Sequence, residues 1–190
     1  MGRNAKKLAE LSRVLSHALR HEPWQYDIEI DASGWVGLPE LIEMLRTKRP
    51  EWSDLTEADL EDMIRDSSKG RHEIHDGRIR ALYGHSIPSR LVRSQVPPPE
   101  MLFHGTSGDN VESIKATGLQ PMRRQHVHLS VDAKTAAAVG RRKASVPVVL
   151  GVRAAEAHLN GVVFYAGNDE TWLADGVPWK FIDISTPPVP

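Results

Sequence analysis

Cysteine is absent from the 190 residues. That excludes a disulfide framework and a thiolate metal site, and it makes a reducing compartment, the cytoplasm, the expected location. Long apolar runs are missing as well. Nothing approaches the roughly 18 successive apolar residues of a membrane helix, and the opening Met1-Gly-Arg-Asn-Ala-Lys-Lys has no apolar stretch of signal-peptide length, so a soluble protein without a membrane partner is expected. A charge surplus of either sign is lacking too: 24 Lys and Arg stand against 25 Asp and Glu, a formal net charge of −1. Binders that coat nucleic acid non-specifically carry a basic surplus that releases counterions, so any phosphate contact here must be local. Aromatic residues make up only 6% of the chain. Phe164, Tyr165, Trp172 and Trp179 read as core or edge packing rather than as a base-stacking platform.

At 40% hydrophobic, the chain has enough apolar material to bury a core, and its length suits one large domain or two small lobes; two is the preferred reading. Leu8, Leu11, Val14, Leu15, Ala18 and Leu19 recur at three-four spacing and predict an amphipathic helix from Ala5 to Arg20. Asp31-Ala-Ser-Gly34 reads as a turn. Pro39 suits the first turn of a second helix with Leu41, Ile42 and Leu45 inward, and Thr56 followed by Asp59 signals the cap of a third, with Leu60, Met63 and Ile64 buried. Around Asp76-Gly77, a dipeptide that favours a tight hairpin turn, Glu73-Ile-His75 and Arg78-Ile-Arg80 alternate as paired strands. Three helices and a hairpin make a winged-helix lobe over residues 1–94, with Arg78 and Arg80 on one face of the wing. Ser94-Gln-Val-Pro-Pro-Pro-Glu100 supplies a Pro-rich linker at 95–100. Residues 101–190 then alternate short strands (101–104, 126–129, 147–152, 162–165, 171–174, 179–184) with helices at 110–117 and 132–142. The fold class expected is α+β in two lobes.

The basic residues fall in patches: Arg20-His21, Arg78 and Arg80, Arg123-Arg124, and Arg141-Arg142-Lys143. Each has an ordinary explanation. Cations at a helix carboxyl end suit the macrodipole, and charge on a strand edge guards against strand addition. Glu22-Pro23, however, stops the helix at once and is expected to leave Arg20 and His21 at an exposed corner rather than on a packed face, where a guanidinium can grip a phosphate and an imidazole can hold or move a proton. Gly84-His85-Ser86 adds flexible backbone, a ring and a hydroxyl near Arg80, suited to an anionic backbone. After the apolar Met101-Leu-Phe103, His104-Gly105-Thr106-Ser107 puts a ring, bare backbone and two hydroxyls at a strand end. A hydrogen-bonded turn and a nucleotide contact both fit that tetrad. His126 and His128 share a strand face but lack a third ligand at sensible spacing, and His72 and His75 fall on opposite faces, so no metal is expected. Two lobes are expected to converge on one phosphate-bearing site.

Six motifs run in order from about residue 8 to residue 182: Leu19-Arg20-His21-Glu22-Pro23, Asp31-Ala-Ser-Gly34-Trp35-Val36, Arg78-Ile-Arg80-Ala81 with Gly84-His85-Ser86, Phe103-His104-Gly105-Thr106, His126-Val-His128-Leu129-Ser130, and Val139-Gly140-Arg141-Arg142. Together they resemble the tRNA/RNA 2′-phosphotransferase family. The resemblance implies a carboxyl lobe of the ADP-ribosyltransferase type that binds NAD as co-substrate, and a monomer whose partner is RNA carrying an internal 2′-phosphate at a splice junction. It implies that Arg20, His21, Arg80 and Arg142 are catalytic. It further implies that His104, Gly105 and Thr106, with Ser107, His128 and Ser130, contact NAD, and that Arg78, His85 and Ser86 contact RNA.

The implied chemistry has two steps. The 2′-phosphate attacks C1″ of NAD as nicotinamide leaves, and ribose O2″ then attacks phosphorus and expels the RNA hydroxyl, giving 2′-OH RNA and ADP-ribose 1″,2″-cyclic phosphate. Arginines neutralise and position the phosphate, which is why guanidinium groups are needed. The chain departs from the family pattern at Tyr83, where glutamine is usual, at His72, where phenylalanine is usual, and at Lys143-Ala144, where His-Gly is common. Two rival readings stay open from the residues alone: an ADP-ribosyltransferase acting on protein or nucleic-acid ends, and a non-catalytic nucleic-acid-binding module.

Overall fold

The structure is a computed structural model that describes residues 2–67 and 69–185. It is α+β, with two antiparallel sheets, and the chain divides into two compact units, Met1–Val92 and Arg93–Pro190.

In the first unit α1 runs Gly2–Arg20, three residues earlier than the apolar pattern predicts. The stripe that marks the helix begins only at Leu8, so the polar first turn carries no periodic signal. Leu11, Leu15, Ala18 and Leu19 are fully buried. The helix closes where the His21 and Glu22 N–H groups both donate to His17 O, at 3.0 and 3.2 Å, and Pro23 cannot continue it. α2 is Leu38–Lys48, and its first N–H, on Leu38, donates to Gly77 O at 2.9 Å. α3 is Glu57–Arg65, opened by a reciprocal cap in which Thr56 N donates to Asp59 Oδ2 at 2.8 Å and Asp59 N to Thr56 Oγ1 at 3.4 Å. The Thr56 hydroxyl, donating to Asp59 Oδ2 at 2.7 Å, and then the Thr56 N–H hold the Asp59 carboxyl below the usual range.

β2 (His72–His75) and β3 (Arg78–Ala81) form the expected hairpin. Asp76 (φ 49°) and Gly77 (φ 67°) both adopt the left-handed conformation that a tight type I′ turn demands. A strand not expected from the pattern, β1 (Trp35–Gly37), pairs with the free edge of β3, giving the order β1-β3-β2. At three residues it is too short to show alternation. Val36 and Ile79, paired across β1 and β3, turn to the core while Trp35 and Arg80 share the other face.

The second unit holds a six-stranded antiparallel sheet in the order β7-β8-β5-β4-β6-β9. Its strands are β4 (Met101–Thr106), β5 (Val127–Ser130), β6 (Val148–Arg153), β7 (Phe164–Asn168), β8 (Thr171–Ala174) and β9 (Ile182–Ser185). Leu102, Leu129, Leu150, Val152, Phe164 and Ala174 make its core with α4 (Val111–Thr117) and α6 (Ala154–Leu159). Several boundaries differ from the pattern. α6 has only Ala154 and Ala157 buried, too little apolar signal to read. β7 continues past Tyr165 through an irregularity between Ala166 and Asn168, where Ala-Gly-Asn reads as a turn. Trp179–Phe181 is a 3-10 turn rather than strand, since Phe181 N bonds back to Pro178 O at 3.1 Å. α5 is Ala133–Gly140, with Asp132 as its cap and Arg141 to Lys143 in the turn beyond.

Backbone is pressed against backbone where α5 lies on β4. A Cβ added at Gly105 would stand 1.9 Å from Ala136 O, and one at Gly140 would stand 3.2 Å from Gly105 C. Only two glycines allow this approach.

Candidate active site

In the first unit the end of α1 is closed by the segment after β3. Ser86 N donates to Arg20 O at 2.9 Å, satisfying one of the carbonyls left open at a helix carboxyl end. The Ser86 hydroxyl lies 2.8 Å from His21 Nδ1. The structure therefore brings Arg20 and His21 together with Gly84-His85-Ser86. Arg20 is buried rather than exposed at the corner. Its Nη2 donates to Arg71 O at 3.1 Å, and its guanidinium carbon lies 5.1 Å from the centroid of the Tyr83 ring. Tyr83 is fixed at its tip, with its hydroxyl donating to Lys69 O at 3.0 Å. Gly84 (φ +91°) runs so close that a Cβ there would stand 3.3 Å from Arg20 Nη1.

Next to Arg20 lies His72, which is also buried, with Nε2 3.3 Å from Ser16 Oγ. Burial, and then the charges of Arg20 and Arg71, push its imidazole down to about 3. It is neutral at physiological pH.

Arg80 occupies the centre of the small sheet. Trp35 on β1 and Glu73 on β2 stand directly opposite it. Its Nε donates to Glu73 Oε1, Nη1 reaches Ser33 O at 3.5 Å, and its guanidinium carbon is 4.4 Å from the Trp35 ring centroid. Arg78, on the same face, is exposed; it lies 5.2 Å from the Trp35 centroid and pairs with Asp31 Oδ2 at 3.6 Å. His85 is buried, its Nε2 3.9 Å from where a Gly34 Cβ would stand. The same Cβ would lie 4.0 Å from Arg80 Cβ and only 3.1 Å from Leu91 Cδ1, so it is the left-handed turn (φ +91°) and the approach of Leu91 that call for glycine at position 34.

In the second unit His104 Nδ1 donates to His128 O at 2.9 Å, which fixes the tautomer and leaves Nε2 as an acceptor. Burial, assisted by the nearby charge of Arg124, lowers the His104 pKa, so the ring is neutral. The buried Thr106 accepts at Oγ1 from Asn110 Nδ2 at 3.3 Å, and the Ser107 hydroxyl caps the next turn through Asp109 N at 3.4 Å. Gly105 packs on α5, so its missing side chain is first a requirement of helix-on-sheet contact. His128 Nδ1 lies 3.1 Å from His126 O. Ser130 is buried directly opposite Phe103, on the face that alternation gives to Gly105 rather than to His104 and Thr106. Arg142 is exposed two residues beyond Gly140, close in the chain to the point where α5 meets Gly105. Among the described residues no ion pair engages it. No group of three or more His, Cys, Asp or Glu among the described residues is placed to hold a metal ion.

Sequence reading missed four neighbours of these groups: Trp35 and Glu73 beside Arg80, Tyr83 beneath Arg20, and Arg124 near His104. Glu73 was legible in principle, because hairpin register alone puts it across from Arg80.

Comparison with known proteins bears on this geometry. Residues 6–176 match the family described as RNA 2′-phosphotransferase, Tpt1/KptA family. A probable RNA 2′-phosphotransferase of Acetivibrio thermocellus is 51% identical over 174 residues, covering 92% of this chain and 95% of its own. Proteins of the same name from Bacillus thuringiensis subsp. konkukian and Rhizobium leguminosarum bv. trifolii are 47% and 39% identical, covering 95% and 96% of this chain and 97% and 98% of theirs.

Proposed function

The chain belongs to the RNA 2′-phosphotransferase, Tpt1/KptA family, and on that footing we propose that it removes an internal 2′-phosphate from RNA of the tRNA splice-junction kind, with NAD as co-substrate. It is an enzyme, a transferase. The products are 2′-OH RNA, nicotinamide and ADP-ribose 1″,2″-cyclic phosphate. The reading treats the first unit as a winged-helix RNA-binding lobe and the second as an ADP-ribosyltransferase-like lobe, acting as a monomer in the cytoplasm. What supports it most is that the match from residue 6 to residue 176 takes in Arg20, His21, Arg80, His104 and Arg142 together.

NAD, when bound, supplies an electrophilic ribose carbon and the neighbouring hydroxyl that carries the phosphate away. The side chains around His104 fit a ribose. A neutral imidazole with Nδ1–H committed to His128 O can accept a ribose hydroxyl at Nε2, and the main chain at Gly105 and the hydroxyls of Thr106 and Ser107 offer further polar contacts.

On the phosphate side, Arg80 spends Nε–H on Glu73 and one Nη1–H on Ser33 O, which leaves three of its five N–H groups for an anion. Arg20 contributes a guanidinium already fixed in place, and Arg142, on the second unit, is proposed as a further cation that no ion pair engages among the described residues. His21, its Nδ1 2.8 Å from Ser86 Oγ, brings an imidazole suited to orienting phosphate or carrying a proton. Each guanidinium donor that strengthens in the transition state is worth about 3 kcal/mol.

The test is incubation of the pure protein with NAD and a short RNA labelled in its 2′-phosphate. Transfer of the label to a small molecule, with one nicotinamide released per phosphate removed, is expected. Nicotinamide release with the label kept on RNA or protein would replace this reading with an ADP-ribosyltransferase. Binding without NAD turnover would reduce the protein to a binding module.

A further inference from the structure

We propose that Trp35 is a positioning residue for Arg80: the indole, with Glu73 and the Ser33 carbonyl, sets the plane and direction in which the Arg80 guanidinium meets the RNA phosphate. This rests on the catalytic reading of Arg80 and deepens it by naming what aims the group. The arrangement follows from strand register. Trp35, Arg80 and Glu73 lie in one row across β1, β3 and β2, so their side chains share the face turned away from the core. An arginine on a central strand has a long flexible stem, and a neighbour on one side alone would leave the guanidinium free to swing.

Here all three directions are set. Glu73 takes Nε–H from the β2 side, the Ser33 carbonyl takes Nη1–H at 3.5 Å, and the flat guanidinium lies with its carbon 4.4 Å from the Trp35 ring centroid. A ring beneath the plane removes the remaining freedom, rotation out of the sheet face, and it does so without using a hydrogen-bond donor. The N–H groups left over, both on Nη2 and one on Nη1, form the outer end of the fork, the edge that engages a phosphate in bidentate fashion. Trp35 also sits 5.2 Å from the Arg78 guanidinium carbon, and its ring is 6.4 Å from that of His75 on β2, so the indole reaches across β3. A smaller side chain at position 35 would leave that floor open.

The proposal separates positioning from mere packing through a kinetic cycle on the intact chain, with NAD and a 2′-phosphorylated RNA. Trp35→Leu should lower kcat roughly 10-fold, the scale of losing one partly desolvated cation–ring contact, while KM for NAD stays within about twofold. Trp35→Phe, which keeps a ring, should recover most of the rate. In an Arg80→Ala background, Trp35→Leu should have no further effect, because there is nothing left to aim. Glu73→Gln, which keeps the shape and removes the ion pair, provides a second entrance to the same cycle if Trp35→Leu does not fold; it too should lower kcat and lose its effect once Arg80 is alanine. An equal loss in both backgrounds, or a full rate for folded Trp35→Leu beside a crippled Arg80→Ala, overturns the positioning role and leaves the catalytic reading of Arg80 standing. A near-normal rate for folded Arg80→Ala overturns both at once.

Discussion

His72→Phe should make the protein markedly more resistant to mild acid. In the folded protein the His72 imidazole is neutral down to about 3, because it is buried and faces the charges of Arg20 and Arg71. In the unfolded chain it takes up a proton near its ordinary value of about 6.5. A histidine lowered in this way gives the fold its full stability above pH 6.5 and loses it as pH falls toward 3. Through that window the unfolded state binds one more proton than the folded state, so each pH unit costs the fold about 1.4 kcal/mol. Between pH 6.5, where the unfolded ring is half protonated, and 4.5 the loss comes to roughly 2 kcal/mol, a sizeable share of the 5 to 15 kcal/mol that typically holds a domain together. Phenylalanine keeps the ring and cannot be protonated. The half-buried Ser16 hydroxyl, 3.3 Å from His72 Nε2, loses its partner in the variant, a small cost that does not vary with pH. Urea unfolding followed by circular dichroism at pH 7.5, 6.0, 5.0 and 4.5 reads the difference between the two proteins, in which the shared contribution of carboxylates such as Asp59 and Asp132 cancels. The gap should grow steadily in favour of His72→Phe as pH falls. Parallel curves across that range would refute the reasoning, since a histidine exposed to solvent, or one already charged in the fold, produces no such divergence.

Other substitutions test separate parts of the argument. Gly105→Ala places a carbon 1.9 Å from Ala136 O, so β4 and α5 must part; a loss of about 3 kcal/mol in urea unfolding is expected, and a change under 0.5 kcal/mol would show that the contact yields cheaply. Arg142→Ala, at an exposed position, should leave stability within about 0.5 kcal/mol and cost about 2 to 3 kcal/mol in turnover, read in single-turnover assays with excess enzyme; normal turnover removes the proposed catalytic role of Arg142. Tyr83→Leu should slow turnover several-fold by unseating Arg20, whereas Tyr83→Phe keeps the ring and sacrifices only the bond to Lys69 O, worth about 1 kcal/mol of stability. Equal rates in the two Tyr83 variants would show that the ring does not seat Arg20. Thr56→Ala should cost about 1 kcal/mol through loss of the α3 cap, measured as a lower urea midpoint with unchanged activity.

The parts of this fold legible in the sequence are those whose physics is local. The α1 stripe from Leu8 to Leu19, the Thr56–Asp59 cap and the Asp76-Gly77 turn each depend on residues a few positions apart, and all three are found where the pattern puts them. What was not legible depends on pairing between distant segments. β1 is three residues long and exists because the outer edge of β3 offers it hydrogen bonds, so nothing in Trp35-Val36-Gly37 by itself distinguishes a strand from a loop. The same limit applies to the candidate site. The cationic residues could be picked out one at a time, yet what holds them is contributed from elsewhere: Trp35 and Glu73 for Arg80, and Tyr83, Arg71 and Gly84 for Arg20. Gly105 shows the same limit. Read alone, a glycine after His104 suggests bare backbone open to a ligand; only the pairing with α5 reveals that glycine is also what lets Ala136 O approach the strand. Arginine is legible as chemistry because its charge is intrinsic. Its direction is not, because direction belongs to the residues across the sheet and at the helix end.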